Sequence, residues 1–336
     1  MKLVTFIPLS DKQGLPRFGA LIDGARTAVD LTEAYAAMSD KPMVLFSEAL
    51  LFLEGGEAAL DMARSVLEFA NRERPETACH DVDSVRLLAP VPRPSSLRDC
   101  IGFEKHVIQS TQTVLSWKSP ALAKANALAR RLRGRPLVGP PGVWYEMPLY
   151  YTSNPRTVVG PDADVKWPSY TETFDFELEY GIFIGRAGKN IRPEQAMDHV
   201  AGFTIFNDFS ARDIQMREMA GRLGPAKGKN FDTGNVLGPW LVTPDEVGNP
   251  YNLDMRASVN GEQWSHGNSG DLYHRFEEVI AHISMDETLY PGDFIGSGTV
   301  GGGCGLELGR FLSPGDVVEL SVDRLGTLRN RVVRNG

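Results

Sequence analysis

The stretch FDFELEYGIFIG, residues 174–185, alternates acidic and apolar side chains before it becomes an almost uninterrupted apolar run. Successive side chains of a β-strand point to opposite faces, so Asp175, Glu177 and Glu179 would share one face of a single strand. Carboxylates two positions apart lie roughly 7 Å from each other on a strand. Their repulsion there is about 2 to 2.5 kcal/mol at an effective dielectric constant of 20. The apolar flanks indicate burial, which adds a desolvation cost to this repulsion. Solvent exposure of the acidic face, cationic side chains beside it or a bound divalent cation would relieve the conflict.

Composition excludes several classes of protein. The chain has 336 residues, 42% of them hydrophobic, and its net charge of −8 provides no basic surface for nucleic acid. The three cysteines are odd in number and far apart, which favours neither a disulfide framework nor a zinc site. No apolar run reaches about 18 residues and no signal-peptide pattern is present. We therefore expect a cytoplasmic protein without a membrane partner.

Two regions are expected along the chain. Residues 1–90 combine a strand-like start, a hairpin over 17–31 and helical spacing of apolar residues up to residue 72, which predicts a small α/β domain. Prolines at 90, 92 and 94 indicate a linker. The main body is residues 91–336. From Tyr150 onward, short apolar runs alternate with Gly, Pro, Asn and Asp turns, which predicts that this body is mainly β.

An Ala-rich, basic insert interrupts this main body. The pattern over residues 113–135 is helical, and the surrounding segment 113–145 is long for a connection inside a compact domain. Two interpretations stay open: a solvated surface helix, or a flap beside a cleft.

Two further acids lie in distinctive surroundings. Asp208 follows the apolar run AGFTIF within NDFSARDIQ, residues 207–215, and Asp99 precedes His106 by seven positions in LRDCIGFEKHV. Taken alone, Asp208 could cap the following helical turn and His106 could be a hydrogen-bonded core histidine.

Taken together, these motifs resemble those of the fumarylacetoacetate hydrolase superfamily. The resemblance covers residues 90–336 and includes the spacing from Asp99 to His106, the E-x-E pair, NDFSARDIQ, GKNFDTGNVLGPW and GSGTVGGGCGLE, all in the family's order. It implies a mainly β (α+β) fold, with a rolled mixed β-sheet catalytic domain after a small N-terminal α/β domain. It also implies a homodimer.

The resemblance assigns four metal ligands, namely Asp99, Glu177, Glu179 and Asp208. Such an all-oxygen site suits Mg²⁺, or Mn²⁺ or Ca²⁺, rather than zinc or copper. Asp175 matches no ligand position, so we expect it behind the ligands or facing solvent.

Catalytic roles follow from the same resemblance. His106 is implied to be the general base that activates water, since an imidazole can accept a proton at neutral pH. Glu307 would orient His106, and Lys229 would meet negative charge on the attacked carbonyl oxygen; Lys227 is a nearby alternative. The positions implied to contact substrate are Tyr151 (with Tyr150 as an alternative), Gln215 and Thr299. Arg212 is expected to be structural, pairing with nearby acids.

Three positions depart from fumarylacetoacetase itself. Ile101 and Met219 replace tyrosines of that enzyme, and Leu115 replaces an arginine that helps to hold the substrate carboxylate. The loss of these polar groups predicts a different, less acidic acyl tail. Arg130, Arg131 or Arg133 on the insert could substitute for the missing arginine.

The implied function is hydrolysis of a C–C bond in a ketonic substance, a 1,3-diketone or acylpyruvate-like acid, with a metal-stabilised enolate as leaving group. An alternative in the same chemistry is a 2-oxo acid hydratase, decarboxylase or isomerase of aromatic compound catabolism. A non-catalytic metal-binding protein is a third hypothesis. In each case the partner is a small keto acid or diketone, not nucleic acid.

Overall fold

A computed structural model describes residues 1–334. Strands and helices occupy about 31% and 33% of it, around one large mixed sheet, which confirms the expected α+β fold class. In chain order, the strands of the described part are β1 (Lys2–Pro8), β2 (Arg17–Ile22), β3 (Thr27–Asp30), β4 (Cys79–Asp81), β5 (Val85–Leu87), β6 (Ser96–Cys100), β7 (Tyr150–Ser153), β8 (Val158–Val159), β9 (Asp164–Lys166), β10 (Phe174–Asp175), β11 (Leu178–Ile184), β12 (Gly188–Lys189), β13 (Val200–Asp208), β14 (Ser210–Ala211), β15 (Asn235–Val242), β16 (Asp254–Val259), β17 (Glu262–Asn268), β18 (Thr288–Leu289), β19 (Asp293–Gly296), β20 (Val317–Val322) and β21 (Gly326–Val333). The α-helices are α1 (Leu31–Ser39), α2 (Ala49–Glu54), α3 (Gly56–Glu73), α4 (Glu104–Lys118), α5 (Pro120–Arg133), α6 (Gly142–Glu146), α7 (Pro193–Ala196), α8 (Arg212–Ala220), α9 (Pro244–Val247), α10 (Phe276–Ile283) and α11 (Gly305–Leu308).

The large sheet has the strand order β4-β3-β2-β1-β15-β13-β11-β19-β6-β7, with β5 added to β1 and β8 added to β15. Most neighbours are antiparallel, but β6 runs parallel to β19 and β8 runs parallel to β15. A second sheet has the order β17-β16-β20-β21-β9, and its β16–β17 hairpin turns at Asn260 and Gly261, as predicted.

The N-terminal region shares the large sheet with the rest of the chain. The predicted hairpin is β2–β3, and β1 pairs with β15 through Lys2–Val242 and Leu3–Leu241. Apolar residues of β1–β3 and α1–α3 pack in one core with residues of β11, β13, β15 and β19. The boundary between residues 90 and 91 stays a prediction.

The acidic stretch is two strands rather than one. Residues 174–175 form β10, which pairs with β14, and β11 begins at Leu178 in the centre of the large sheet. Between them, Glu177 makes an isolated bridge with Cys304. All seven residues of β11 are buried because β13 and β19 flank the strand, which explains its apolar run.

The predicted helical insert is an antiparallel pair of helices, α4 and α5. Pro120 occupies the first turn of α5, and Gly134 ends that helix with a left-handed φ of 71°. The Asn126 amide donates to Gln112, which ties the two helices together. The first turns of α4 carry His106, so this helix pair borders the site described next.

Candidate active site

Three buried carboxylates from strands β6, β11 and β13 of the large sheet meet at one point. Asp99 on β6, Glu179 on β11 and Asp208 at the end of β13 each offer an oxygen, and these atoms all lie within 4.8 Å of one another. Strand β19 separates β6 from β11, and its Gly296 pairs with Asp99. A Cβ at Gly296 would lie 2.3 Å from Asp99 Oδ1, so the close approach of Asp99 requires glycine here.

These three acids have few hydrogen-bond donors. Asp99 Oδ1 accepts from the Gly298 N–H at 3.2 Å, and Glu179 Oε1 accepts from the Thr299 hydroxyl at 3.1 Å. Within residues 1–334, no hydrogen-bond partner reaches the buried atoms Glu179 Oε2 and Asp208 Oδ1. Because unpaired buried oxygens are costly, a cluster of this kind fits a hard divalent cation.

Burial and mutual repulsion shift the ionisation of the three acids. Burial, followed by the charge of Asp208, raises the pKa of Asp99 well above its usual range, and burial with the charge of Asp99 does the same for Glu179. Burial also raises the pKa of Asp208, to about 6, against the opposing effect of Lys229. Each of these carboxyls therefore loses its proton less readily than a free carboxyl, unless a cation takes the place of the proton.

Glu177, the fourth predicted ligand, has different neighbours. Its carboxylate lies 2.7 Å from an Arg212 nitrogen and accepts from Lys229. Burial raises the pKa of Glu177, but the positive charges of Arg212 and Lys229 lower it by more, so the pKa lies below its usual range. The Lys229 ammonium also donates to Asp208 and, at 2.7 Å, to Ser210, and thus joins Glu177 to the three-acid cluster.

Asp175 has a structural position that the sequence did not assign. It is fully buried rather than facing solvent, and it accepts from Arg212 Nε at 2.7 Å. It also accepts from the backbone N–H groups of Gly305 and Leu306 at 2.7 and 2.9 Å. Asp175 therefore fixes the helical turn that carries Glu307, and Arg212 pairs with acids as expected. The i, i+2 spacing with Glu177 was the available sequence signal.

His106 and Glu307 form a hydrogen-bonded pair, as the resemblance implied. His106 Nδ1 lies 2.7 Å from Glu307 Oε1, and Glu307 Oε2 accepts from the Gly302 N–H at 2.7 Å. Because a carboxylate only accepts, Nδ1 donates and the lone pair of the neutral ring is on Nε2. The pair therefore has the arrangement of a base and the group that orients it.

One cavity of about 970 Å³ is lined by three of the four acids, Asp99, Glu177 and Glu179, whereas Asp208 and Glu307 lie behind its wall. Its wall includes both expected reactive groups, His106 and Lys229, and all of the expected substrate-contacting residues, namely Tyr150, Tyr151, Gln215 and Thr299. Lys227, by contrast, is exposed, and its ammonium lies 3.4 Å from the Asn230 carbonyl.

The expected substrate-contacting residues also hold other site residues. The Tyr151 hydroxyl donates to Asp208, Thr299 donates to Glu179, and Gln215 accepts from Arg212 at 2.9 Å.

The positions that depart from fumarylacetoacetase lie in the same wall. Ile101, Leu115 and Met219 all line the cavity. Arg130 and Arg131 line a separate, smaller cavity of about 370 Å³, and Arg133 is in neither wall.

The sequence and the structure were also compared with known proteins. The family model described as fumarylacetoacetate (FAA) hydrolase C-terminal matches residues 129–333, which is more than half of the chain. The chain belongs to the fumarylacetoacetate hydrolase family. A mitochondrial oxaloacetate tautomerase of Homo sapiens is 35% identical over 283 residues, covering 84% of this chain and 78% of the relative. An oxaloacetate tautomerase of Bacillus subtilis is 31% identical, covering 82% of this chain and 83% of the relative.

Solved structures of this family share the fold. A fumarylacetoacetate hydrolase from Exiguobacterium antarcticum matches with a TM-score of 0.71 and 25% identity, covering 100% of both chains. The family is one of enzymes, and the relatives' names include both tautomerases and hydrolases. Within residues 1–334, no helix has the length and apolarity needed to cross a bilayer.

Proposed function

We propose that this family member is a divalent-metal-dependent hydrolase that cleaves a C–C bond of a 1,3-diketone or acylpyruvate-like acid. The observation that supports this most strongly is a shared cavity: the His106 imidazole lines the same space as the carboxylates of Asp99 and Glu179. A base and a cation site beside one substrate space are what C–C hydrolysis of such an acid requires.

The described residues fit a divalent ion. Asp99, Glu179 and Asp208 would hold it, with Glu177 as a fourth carboxylate, and the two unpartnered oxygens of Glu179 and Asp208 provide free lone pairs. An all-carboxylate donor set favours Mg²⁺, or Mn²⁺ or Ca²⁺. When bound, the ion would polarise a substrate carbonyl and neutralise developing enolate charge.

His106 would take a proton from water on Nε2 while Glu307 holds Nδ1–H. The water oxygen then bonds to the acyl carbonyl carbon, and the bond from that carbon to C3 of the pyruvyl unit breaks. The electron pair stays on C3, which recovers the proton from the imidazolium, and the products are pyruvate and a carboxylic acid. Lys229 donates to Glu177, Asp208 and Ser210, so it would reach a substrate oxygen only by exchanging one of these partners.

A second candidate is keto–enol tautomerisation of a 2-oxo acid. Two relatives that are 35% and 31% identical are named oxaloacetate tautomerases. The same His106 would then move a proton between C3 and the carbonyl oxygen, and no water would be consumed. The wider alternative of a hydratase, decarboxylase or isomerase of aromatic catabolism uses the same groups.

Parallel assays with Mg²⁺ separate these functions. Acetylpyruvate and benzoylpyruvate are tested for release of pyruvate and the matching acid, and enol-oxaloacetate is tested for accelerated ketonisation. Cleavage supports the hydrolase, whereas ketonisation without cleavage supports the tautomerase.

Substitution of the base tests the mechanism. His106→Asn should lower kcat by about 10²- to 10⁴-fold in whichever assay is positive. His266→Asn is the matched control, because that imidazole is exposed on β17 and pairs with Asp254. Unchanged kcat in His106→Asn would refute His106 as the base in both functions.

We also propose that the protein is a homodimer located in the cytoplasm, as the family resemblance and the composition suggest. Light scattering of the purified protein tests the first point, since a monomeric mass would refute it. Imaging of a tagged chain in its native cell tests the second.

A further inference from the structure

Two helices border the cavity, and along both the lining residues change from polar to apolar, with Lys118 following Leu115 at the end of α4. On α4, the residues that line the cavity begin with His106 and Ser110 and continue to Val114 and Leu115. Residues three and four apart share a helix face, and each residue adds about 1.5 Å, so Leu115 is about 13 Å along the helix from His106.

Helix α8 shows the same gradient. Arg212 and Gln215 in its first turn line the polar part of the cavity, and Met216, Met219 and Ala220 follow on the same face. The loop after α8 adds Leu223, which is 97% exposed and thus marks the mouth of the cavity. The part of the cavity remote from the acids, between Val114, Leu115, Met216, Met219 and Leu223, is called the outer subsite below.

Charge is scarce in the outer subsite. Among the described residues that line the cavity, Lys118 is the one charged side chain beyond the acid cluster and its partners. Arg212 is paired with Asp175 and Glu177, and Lys229 is paired with Glu177 and Asp208. An acidic tail leaving the polar end would therefore cross hydrocarbon surface without a free cation until it reached Lys118, which is costly.

We infer that the outer subsite binds an unbranched alkyl or aryl tail of the substrate, while a 2-oxo acid head group occupies the polar end. The identity of the head group rests on the proposed function, but the tail preference does not depend on bond cleavage. Each methylene that is fully buried should tighten binding about fourfold. The gain is smaller here because Met219 is half exposed.

Unreactive N-alkyl oxamates, titrated calorimetrically into the full chain with Mg²⁺, measure the tail alone. N-hexyl oxamate should bind at least tenfold tighter than N-methyl oxamate, and N-(5-carboxypentyl) oxamate should bind more weakly than the hexyl compound. Equal affinity for methyl and hexyl compounds, or no binding of the hexyl compound, would overturn the inference. Tighter binding of the carboxypentyl compound would also overturn it and would make Lys118 the tail anchor.

Substitution at the mouth of the cavity locates the effect. Met219→Lys should reduce the hexyl-to-methyl affinity ratio to less than threefold. Met285→Lys is the matched control, because Met285 is 60% exposed and outside the cavity wall, so its ratio should equal that of the unmodified chain. An unchanged ratio in Met219→Lys would contradict the assignment of the subsite.

The two proposals fail separately. Tail-dependent oxamate binding without any cleavage of acylpyruvates would refute the hydrolase and retain the outer subsite. Cleavage of acylpyruvates together with equal oxamate affinities would retain the hydrolase and refute the outer subsite.

Discussion

Glu177 and Glu179 lie two positions apart and are both buried, but their surroundings have opposite effects on ionisation. Arg212 and Lys229 contact Glu177 and lower its pKa in spite of burial. Glu179 contacts no cationic side chain within the described residues, and burial with the charge of Asp99 raises its pKa well above the usual range. Internal cations thus neutralise Glu177, whereas Glu179, two positions further along, belongs to the acidic cluster that we propose binds a divalent ion.

This difference separates a scaffold from a reactive site. Asp175, Glu177 and Arg212 form a charge cluster that holds the Glu307 turn, and its acids are paired with cationic side chains of the protein. The three carboxylates of Asp99, Glu179 and Asp208 have more negative charge than the neighbouring Lys229 can neutralise. The remaining charge must be neutralised by protons or by a metal ion. The predictions below test this division.

The largest effect is expected from removal of the internal cation. Arg212→Met leaves Asp175 buried without its cationic partner and Glu177 with Lys229 alone, which should lower the free energy of unfolding by about 3 to 5 kcal/mol. Urea unfolding measures it. Arg217→Met, an exposed position on the same helix, should change stability by less than about 0.5 kcal/mol. Similar small losses of stability in both variants would show that the ion pairs of Arg212 with Asp175 and Glu177 do not stabilise the fold.

A second effect is the pH dependence of stabilisation by Mg²⁺. Because burial raises the pKa of Asp208 to about 6, protonation of Asp208 stabilises the metal-free fold. This contribution to stability is complete below about pH 4 and is lost as the pH rises through about 6. Since Mg²⁺ replaces the protons, the gain in stability on adding Mg²⁺ over EDTA should be larger at about pH 7.5 than at about pH 5. An equal gain at both values would contradict the proposed cation site.

The two glutamates can be compared directly in EDTA at about pH 8. Glu177→Gln keeps the size of the side chain but removes the charge that Arg212 and Lys229 contact, so the free energy of unfolding should fall by about 1.5 to 3 kcal/mol. Glu179→Gln removes a carboxyl whose ionisation the fold opposes, so stability should stay the same or rise. Equal losses in both variants would show that their surroundings do not differ as described.

The smallest effect concerns the donor to Glu179. Thr299→Val removes the 3.1 Å hydrogen bond that orients the carboxylate, so Mg²⁺ affinity should fall by up to about tenfold. Thr204→Val is a suitable control, because its buried hydroxyl donates to the Gly238 carbonyl instead. An equal Mg²⁺ affinity in Thr299→Val and the unmodified chain would mean that Thr299 does not position Glu179.

The family resemblance grouped residues that local patterns alone did not connect. The i, i+2 acids, Asp99 and His106 line one cavity, and Asp208 lies within reach of Asp99 and Glu179. Which carboxylate contacts Arg212 depends on how β10, β11 and α8 pack, and no local pattern encodes that. For the same reason the strand break before Leu178 and the role of Asp175 emerged only from the structure.

The fold shows the same limit. Hairpins such as β2–β3 and β16–β17 join neighbours in the chain and could be predicted from turn residues. The pairing of β1 with β15 joins residues about 240 positions apart and depends on packing of the whole core.

The most direct test of the central claim is a Mn²⁺ titration followed by electron paramagnetic resonance, on the unmodified chain and on Glu179→Gln. We predict one tight Mn²⁺ site per chain, displaced by Mg²⁺, and at least hundredfold weaker binding in Glu179→Gln. No Mn²⁺ binding by the unmodified chain, or equal affinity in both proteins, would contradict a cation site at Asp99, Glu179 and Asp208.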